Sequence, residues 1–371
     1  MKDKNLKLVI NLRHELHQHP EISNEEYWTK NHLIDFLKRY TSLEIVDKGK
    51  WFYAFYEGDK SRDNIAFRAD FDAVEMEESI EIPWKSKNSC VSHKCGHDGH
   101  AASLAGFALE VDQEGSDKNI YFLFQHAEET GDGAKKCVEM LRENKIDEIY
   151  AYHNMSGMPF NTINIIYGTA HFASRGMIIK MKGKTSHASE PEKGINPAFT
   201  AAKIINQIPK LISKKNNRGL VLCTIVQVDI GREAFGISPG EGRLLLTIRS
   251  QYEEELIKLQ NNIKSIACNE AEKSGLKVDF YDRDVFPETV NHRENVDKAK
   301  KVGEIKNFKV NKLKKPFRAS EDFGYYTKLI KGAIFYIGNG ENYPDIHTSE
   351  YDFRDEIIER AVEMFKGLAD I

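Results

Sequence analysis

The sequence predicts an α/β protein that carries a second, ferredoxin-like α+β module as an insertion. Short apolar segments alternate with helical patterns in the first part of the chain. This alternation is typical of a largely parallel sheet covered by helices on both faces. From about Gly176 the order becomes β-α-β-β-α-β, which is that of a ferredoxin-like module, and the α/β alternation returns after Phe286.

The first domain begins with two predicted helices. One runs to about His17, ahead of Pro20, and the other is opened by Ser23 and Glu26, which have the spacing of a capping box. A last helix from about Glu356 follows the apolar segment GAIFYIGN near the end of the chain. The alternating segments between these parts are NIAFRAD, AASLAGFALEV, NIYFLFQ, GAKKCVEMLREN and EIYAYHN.

The inserted module has four strand segments and two helical ones. The helices are NPAFTAAKIINQIPKLI and a longer one from about Glu253 to Lys273. The strands are GMIIKMK, LVLCTIVQVDI, RLLLTIRS and LKVDFY. We therefore predict a first domain made of residues 1–172 and 284–371, interrupted by a module at 173–283.

Composition limits the classes of partner. The 371 residues include 53 basic and 57 acidic side chains, a net charge of −4, and the two signs are mixed along the chain, so no nucleic-acid partner is expected. Five cysteines, an odd number, argue for a reducing compartment. The charged N-terminus lacks a signal-peptide core, and no apolar run approaches the ~20 residues that span a bilayer. We expect a cytoplasmic protein with no membrane partner.

The motif Cys95-Gly-His97-Asp98-Gly-His100 stands at the start of a helical segment. A thiolate and an imidazole two residues apart, on a loop with two glycines, can bind one zinc, manganese or cobalt ion. A helix start with incidental histidines would explain the motif equally well. The motif therefore indicates a metal site only in combination with other signals.

Polar side chains also follow the apolar segments, where predicted strands end. Asp70 follows NIAFR, the pair Glu128-Glu129 follows NIYFLFQHA, and His153 follows EIYAY. The carboxyl ends of parallel strands open into one crevice, so these groups are expected to converge there. A solvated loop would account for the glutamate pair by itself, and His347, in a loop after GAIFYIGNGENYP, is weak evidence alone.

Eight strings carry a resemblance to a known family: RHELHQHPE, FRADFDAVEM, HKCGHDGHAA, FQHAEETGDGA, YHNM, KGKTSHASEPEKGINP, ASEDFGYY and IHTSEYDF. Through them the chain resembles the M20 metallopeptidase and amidohydrolase family, in particular the branch with aminoacylase, hippurate hydrolase and auxin-conjugate hydrolase. The resemblance covers almost the whole chain in the family's order. It implies a zinc-peptidase-like α/β catalytic domain interrupted by a ferredoxin-like lid or dimerisation domain, and hence a homodimer formed through the lid.

The resemblance also implies a site for two divalent metal ions, which could be zinc, manganese or cobalt. Glu128 would be the general base that takes a proton from metal-activated water. Asp70 would be a carboxylate behind the ligands that orients one of the ligand histidines. The ligands implied for this sequence are Cys95, His97, Glu129, His153 and His347.

In the inserted module, the resemblance implies that His187 stabilises the oxyanion, in its own subunit or in a partner's, and that Arg249 binds the substrate carboxylate. Two positions depart from the family pattern. Gly236 stands where relatives often carry asparagine, and His126 where this branch usually has proline. These departures bear on how the module recognises substrate and on the shape of the loop at the glutamate pair.

We therefore expect metal-dependent hydrolysis of an amide bond in an N-acyl amino acid or a similar small substrate. A dipeptidase or carboxypeptidase of the same fold is the nearest alternative, because sequence barely separates the two. A catalytically silent, dimeric binding protein is a third possibility. It would be expected to have lost a ligand or the base, yet all five ligands and Glu128 are present.

Overall fold

The computed structural model describes residues 1–58 and 63–371. Its helices are α1 (Asp3–Gln18), α2 (Tyr27–Tyr40), α3 (His97–Glu114), α4 (Gly133–Glu143), α5 (Pro197–Leu211), α6 (Glu253–Ser274), α7 (Arg293–Ile305), α8 (Gly324–Thr327) and α9 (Ile358–Ala369). Its strands are β1 (Glu44–Asp47), β2 (Phe52–Tyr56), β3 (Asn64–Asp70), β4 (Asn119–Gln125), β5 (Glu148–Ser156), β6 (Ile163–Ile165), β7 (Gly168–His171), β8 (Ala173–Lys182), β9 (Ser186–His187), β10 (Val221–Ile230), β11 (Ile237–Ser238), β12 (Glu241–Ser250), β13 (Lys277–Phe286), β14 (Thr289–Asn291), β15 (Val310–Lys312) and β16 (Lys331–Gly340).

The described residues form two compact units. The first consists of Met1–Ala170, Thr289–Lys315 and Glu321–Ile371, and the second of His171–Glu288 and Pro316–Ser320. The second unit is thus longer than the predicted module at 173–283. Pro316–Ser320 belongs to it because the backbone amide of Phe172 donates hydrogen bonds to the carbonyls of Phe317 (3.1 Å) and Ala319 (3.2 Å).

An eight-stranded sheet in the order β1-β2-β4-β3-β5-β16-β6-β15 forms the centre of the first unit. Its middle strands β4, β3, β5 and β16 are parallel, while antiparallel pairs occur towards the edges. β3 and β4 are buried from their second residue onwards, as expected for apolar strands covered on both faces. The predicted α/β alternation therefore gives a sheet whose central strands end at one common edge.

Helix packing places α3 deep in the first unit. Residues His97 to Val111 of this helix are all buried, and the ring of Phe107 lies 5.2 Å from that of Phe122 on β4. On the same core, Phe67 of β3 lies 4.8 Å from Phe107 and 5.1 Å from Phe365 of α9, measured between ring centroids. The start of α3, where the Cys95–His100 motif lies, is thereby held inside the protein.

The second unit contains a four-stranded antiparallel sheet in the order β10-β12-β8-β13. Along β12, Leu244, Leu246 and Ile248 alternate with less buried residues, so one face of the sheet is apolar. Buried residues of α5 and α6, among them Ile204 and Ile263, join these side chains in one core. This is the β-α-β-β-α-β arrangement that the sequence predicts.

The entry to α2 differs from the prediction. The helix begins at Tyr27, and its N-cap residue makes no side-chain cap, so the capping box is wrong. The carboxylate of Glu21 accepts from two backbone amides of the first turn instead. The hydroxyl of Ser23 instead donates to Oδ2 of Asp72 at 2.7 Å, and Oε1 of Glu26 accepts from the backbone amide of Ala127 at 2.7 Å. No helix in the described part of the chain is both long and apolar enough to cross a membrane.

Candidate metal centre and active site

The carboxyl ends of the central strands supply the floor of the candidate site. β3 ends at Asp70, but β5 does not end before His153 as predicted. It continues to Ser156 because it pairs in parallel with β16, where His153 lies opposite Tyr336. His153 therefore projects from a strand rather than a loop. Its Nδ1 lies 2.6 Å from the carbonyl oxygen of Asn154, which leaves Nε2 available as a ligand atom.

Cys95 and His97 are brought together by a tight loop before α3. Gly96, between them, has a φ of +92°, a left-handed conformation that favours glycine. A Cβ atom at this position would meet Oδ1 of Asn154 at 2.6 Å and the hydroxyl of Tyr351 at 2.8 Å. The loop is therefore closely packed, and it holds Sγ of Cys95 3.4 Å from Nε2 of His153.

The imidazole of His97 is fixed from one side by a carboxylate. Its Nδ1 lies 3.1 Å from Oδ1 of Asp72, while its Nε2 lies 3.9 Å from Oδ2 of Asp70 and 3.9 Å from Oε1 of Glu129. Both Nε2 of His97 and Oε1 of Glu129 are buried and lack a hydrogen bond within the described residues. A buried nitrogen and a buried carboxylate oxygen that lie close together and have no hydrogen-bond partner are suited to bind one cation between them.

His347 completes the cluster from the C-terminal part of the chain. Its backbone has a φ of +58°, and its amide donates to the carbonyl of Lys94 at 2.7 Å. Nε2 lies 3.3 Å from Oε1 of Glu129. The neighbouring side chains of Cys95 and Glu129 raise the pKa of His347 to about 11. The surroundings of this side chain thus favour a positive charge at this point.

The donor atoms of the predicted ligands overlap in space. Several groups of described residues have all their donor atoms within 4.8 Å of one another, and three of these groups contain only predicted ligands and Glu128: Cys95 with His97 and His153, Cys95 with Glu129 and His347, and His97 with Glu128 and Glu129. Because the groups share members, the structure brings all five predicted ligands and Glu128 into one cluster. A thiolate, imidazoles and carboxylates form a donor set that suits zinc, manganese or cobalt.

Glu128 is buried among other carboxylates. Its side chain is 6% exposed, and Oε1 accepts a hydrogen bond from the backbone amide of Asp322 at 3.2 Å. Burial and the neighbouring carboxylates of Glu321 and Asp322 raise the pKa of Glu128 well above its ordinary value. A carboxylate in such surroundings readily accepts a proton, as a general base must.

The structure places Asp70 differently from the expectation. Its Oδ1 lies 2.6 Å from Nδ1 of His100, which is not among the predicted ligands, and its Oδ2 lies 2.7 Å from Nη1 of Arg68. Asp72 makes the contact with Nδ1 of the predicted ligand His97 instead. The cause is geometric, because Asp70 ends β3 beside Arg68, whereas Asp72 lies beyond the strand and faces the start of α3. Sequence reasoning missed Asp72, although the alternation in RADFD offers both carboxylates.

A buried arginine supports the edge of the sheet below the site. Arg68 is 1% exposed and ion-pairs with Glu321 (3.0 Å) and Asp322 (2.7 Å), in addition to Asp70. An arginine inside an apolar strand is the signal that could have identified this network, because buried charges need partners.

His126 is fully buried, and neither of its ring nitrogens has a hydrogen bond within the described residues. Burial, with a smaller contribution from Lys136, lowers the pKa of His126 to about 4. Where the branch usually has proline, this chain therefore places a neutral imidazole that adds no charge beside the glutamate pair.

The second unit holds the remaining predicted residues. His187 lies on β9, opposite Ile237 of β11, and the carbonyl of Gly236 accepts from the amide of Ala188 at 3.0 Å. Nδ1 of the exposed His187 lies 2.7 Å from the hydroxyl of Ser189. Arg249 on β12 donates from Nη1 to the hydroxyl of Ser320 at 2.7 Å. His187 and Gly236 are thus neighbours, and a Cβ at Gly236 would meet no described atom within 4 Å.

With this geometry established, comparison with known proteins identifies the family. The profile of peptidase family M20/M25/M40 matches residues 66–370. The chain belongs to this family. The M20 chain is 30% identical over 370 residues to a hippurate hydrolase from Campylobacter jejuni. The matched region covers 96% of this chain and 94% of the relative.

Two further proteins extend the similarity. An N-acetylcysteine deacetylase from Bacillus subtilis is 28% identical over 371 residues, covering 98% of the M20 chain and 96% of the relative. A solved structure of a dinuclear metal-binding M20 peptidase from the same species is 26% identical with a TM-score of 0.83, covering 99% and 98% of the two chains. The predicted family and α/β fold class are confirmed, and the M20 chain is a hydrolase.

Proposed function

We propose that this M20 chain hydrolyses the amide bond of an N-acyl amino acid or a similar small substrate, with two divalent metal ions. The observation that carries the proposal is the single cluster of Cys95, His97, Glu129, His153 and His347 with Glu128 beside it. The relatives named hippurate hydrolase and N-acetylcysteine deacetylase support the substrate class. The neighbour described as dinuclear supports the number of ions.

The five ligands would hold the ions, and bound ions would supply Lewis-acid chemistry that acidifies a water molecule and polarises the amide carbonyl. Glu128 accepts the proton from the attacking water and delivers it to the nitrogen of the leaving amine. The new C–O bond forms first and gives a tetrahedral oxyanion. The C–N bond then breaks as the nitrogen takes up the proton from Glu128, so that a carboxylic acid and an amine are released. Asp72 holds Nδ1 of His97, so that Nε2 is the nitrogen that would bind an ion.

The second unit would contribute substrate recognition. We propose that His187 stabilises the oxyanion and that Arg249 binds the carboxylate of the substrate, for which a guanidinium fork is well suited. We further propose that this unit, predicted at 173–283, is a lid or dimerisation domain of a homodimer. The exposed apolar residues Ile225 and Val226 lie on β10, an edge strand of its sheet, and support a second copy as the partner. Five unpaired cysteines support a cytoplasmic location.

A dipeptidase is the second candidate, because the dinuclear neighbour is described as a peptidase. Matched substrates separate the two activities. N-acetyl and glycyl derivatives of the same amino acid differ only at the acyl side, so the ratio of their kcat/KM values distinguishes an aminoacylase from a dipeptidase.

The decisive experiment measures bound metal after purification and then turnover of hippurate, N-acetyl amino acids and dipeptides with added zinc, manganese or cobalt. We expect about two ions per chain and preference for an N-acyl substrate. The chelator-treated protein is the matched control and should be inactive until metal is restored. A protein that binds no metal and cleaves no substrate would instead be the silent binding protein.

A further inference from the structure

Lys94 is a fully buried lysine that directly precedes Cys95. Its ammonium group donates to Oε1 of Glu78 at 2.5 Å and to the carbonyl oxygen of Tyr351 at 2.6 Å. Its own carbonyl accepts a hydrogen bond from the amide of His347 at 2.7 Å. Lys94 therefore contacts the C-terminal segment at two points, His347 and Tyr351.

His347 needs such support because its side chain is half exposed and its backbone is strained. Its side chain is 46% exposed, and its backbone has the left-handed φ of +58°, which costs a residue other than glycine about 1 kcal/mol. The contact at Tyr351 continues a turn, in which the amide of Tyr351 donates to the carbonyl of Thr348 at 3.2 Å. Bonds from Lys94 on both sides hold the turn, and with it His347, against the loop of Cys95.

The ammonium group of Lys94 is itself anchored. Glu78, its partner, accepts from Nε2 of His17 at 2.9 Å and from the amide of Ser86 at 2.8 Å. Burial by itself would raise the pKa of Glu78, but hydrogen bonds from His17 and Lys94 lower this pKa to about 2. A buried ammonium is stable only with such a partner, so the position of Lys94 is set by a fixed carboxylate.

We propose that Lys94 is a positioning residue that fixes His347 beside Cys95 and Glu129 and thereby sets how tightly this side of the centre binds metal. The inference rests on the proposed function, because it takes Cys95, Glu129 and His347 to be ligands. It adds a residue whose side chain touches no ligand side chain and acts through the backbone of the C-terminal segment.

A double-mutant cycle on the metal-depleted full chain tests the proposal. Lys94→Met, His347→Ala and the double variant are compared with wild type by calorimetric titration of Co²⁺ and by the visible spectrum of the cobalt-loaded protein. We expect Lys94→Met to weaken one class of cobalt site by about 10- to 100-fold and to alter the spectrum. In the His347→Ala background the same change should add almost nothing, because the ligand through which Lys94 acts is gone.

Lys85→Met is the matched control, since Lys85 pairs with Glu81 at 2.6 Å on the surface, and it should bind cobalt as wild type does. Cobalt binding and spectrum unchanged in a less stable Lys94→Met protein would overturn the proposal and leave Lys94 a structural residue. Full additivity with His347→Ala would overturn it as well. If Lys94→Met does not fold, the variant Lys94→Met with Glu78→Gln, which also removes the carboxylate left without its ammonium partner, replaces it under the same criteria. Wild-type protein that binds no cobalt would instead overturn the proposed function itself, and with it the proposed role of Lys94.

Discussion

Asp72 accepts a hydrogen bond from Nδ1 of His97 at 3.1 Å, and its second oxygen accepts from the backbone amide of Glu129 at 3.0 Å. One carboxylate thus orients two of the proposed ligands, which come from different loops. Such contacts behind a metal ligand typically change affinity by 10- to 100-fold when they are removed.

We predict that Asp72→Ala lowers the affinity for the more weakly bound metal ion by about 10- to 100-fold. Titration of the metal-depleted protein with metal measures this affinity. Ser23→Ala is the control, because it removes one donor to Asp72 and no contact to a ligand. Its effect should be several-fold smaller. Equal losses in the two variants would show that the loop, and not the carboxylate, determines the affinity.

Glu128→Gln should separate proton transfer from metal binding. The amide keeps the size of the side chain but cannot accept the proton of water, so we expect kcat to fall by at least ~100-fold with metal content unchanged. Glu129→Gln, one residue later, should instead lose metal. If Glu128→Gln loses metal to the same extent, Glu128 is a ligand and not the base.

The sequence was sufficient for the parts of the fold that local patterns encode. NIYFLFQ is apolar between its two polar ends, NIAFRAD is interrupted there only by Arg68, and both form central strands. The residues it missed depend on partners far along the chain. Asp72 contacts His97 across 25 residues, and Lys94 contacts Tyr351 across 257. No local pattern specifies which way a loop side chain turns, so these contacts could not be predicted.

The same reason explains the extent of β5. The strand extends past His153 because its partner β16 continues alongside it to Gly340. The sequence showed where the apolar residues end but not where the pairing ends.

Gly96→Ala should disturb the centre because the loop has no space for a side chain. The added Cβ would meet Asn154 and Tyr351 within 3 Å, in a backbone conformation that is already unfavourable for alanine. We predict weaker metal binding together with a lower midpoint of thermal unfolding. Gly49→Ala is a matched control, since its φ of +88° is nearly the same but a Cβ there meets nothing within 4 Å. It should cost about 1 kcal/mol of stability and leave metal binding unchanged. Equal metal affinity in the two variants would contradict the packing argument.

Acid stability should depend on Glu363, which ties α9 to α7. Burial by itself would raise the pKa of Glu363, but hydrogen bonds from Lys306 and from the amino group of Met1 lower this pKa from 4.5 to about 2. A lowered pKa contributes stability above pH 4.5 that is lost as the pH falls towards 2. We expect Glu363→Gln to reduce the free energy of unfolding by about 1 to 2 kcal/mol at neutral pH, and the difference from wild type to shrink across that window. Denaturant unfolding at several pH values measures this, and a constant difference would contradict the assignment.

Whether His187 serves its own subunit or the partner can be decided by mixing inactive variants. Glu128→Gln and His187→Ala should each form nearly inactive homodimers. If His187 acts across subunits, a mixed dimer has one complete site, and random exchange should restore about a quarter of wild-type turnover. If it acts within its own subunit, every site in the mixed dimer lacks one group and mixing restores nothing. Subunit exchange has to be demonstrated with two affinity tags, and each variant mixed with itself gives the baseline. No recovery despite demonstrated exchange would assign His187 to the site of its own chain. A protein that is monomeric in solution would exclude the partner-subunit arrangement altogether.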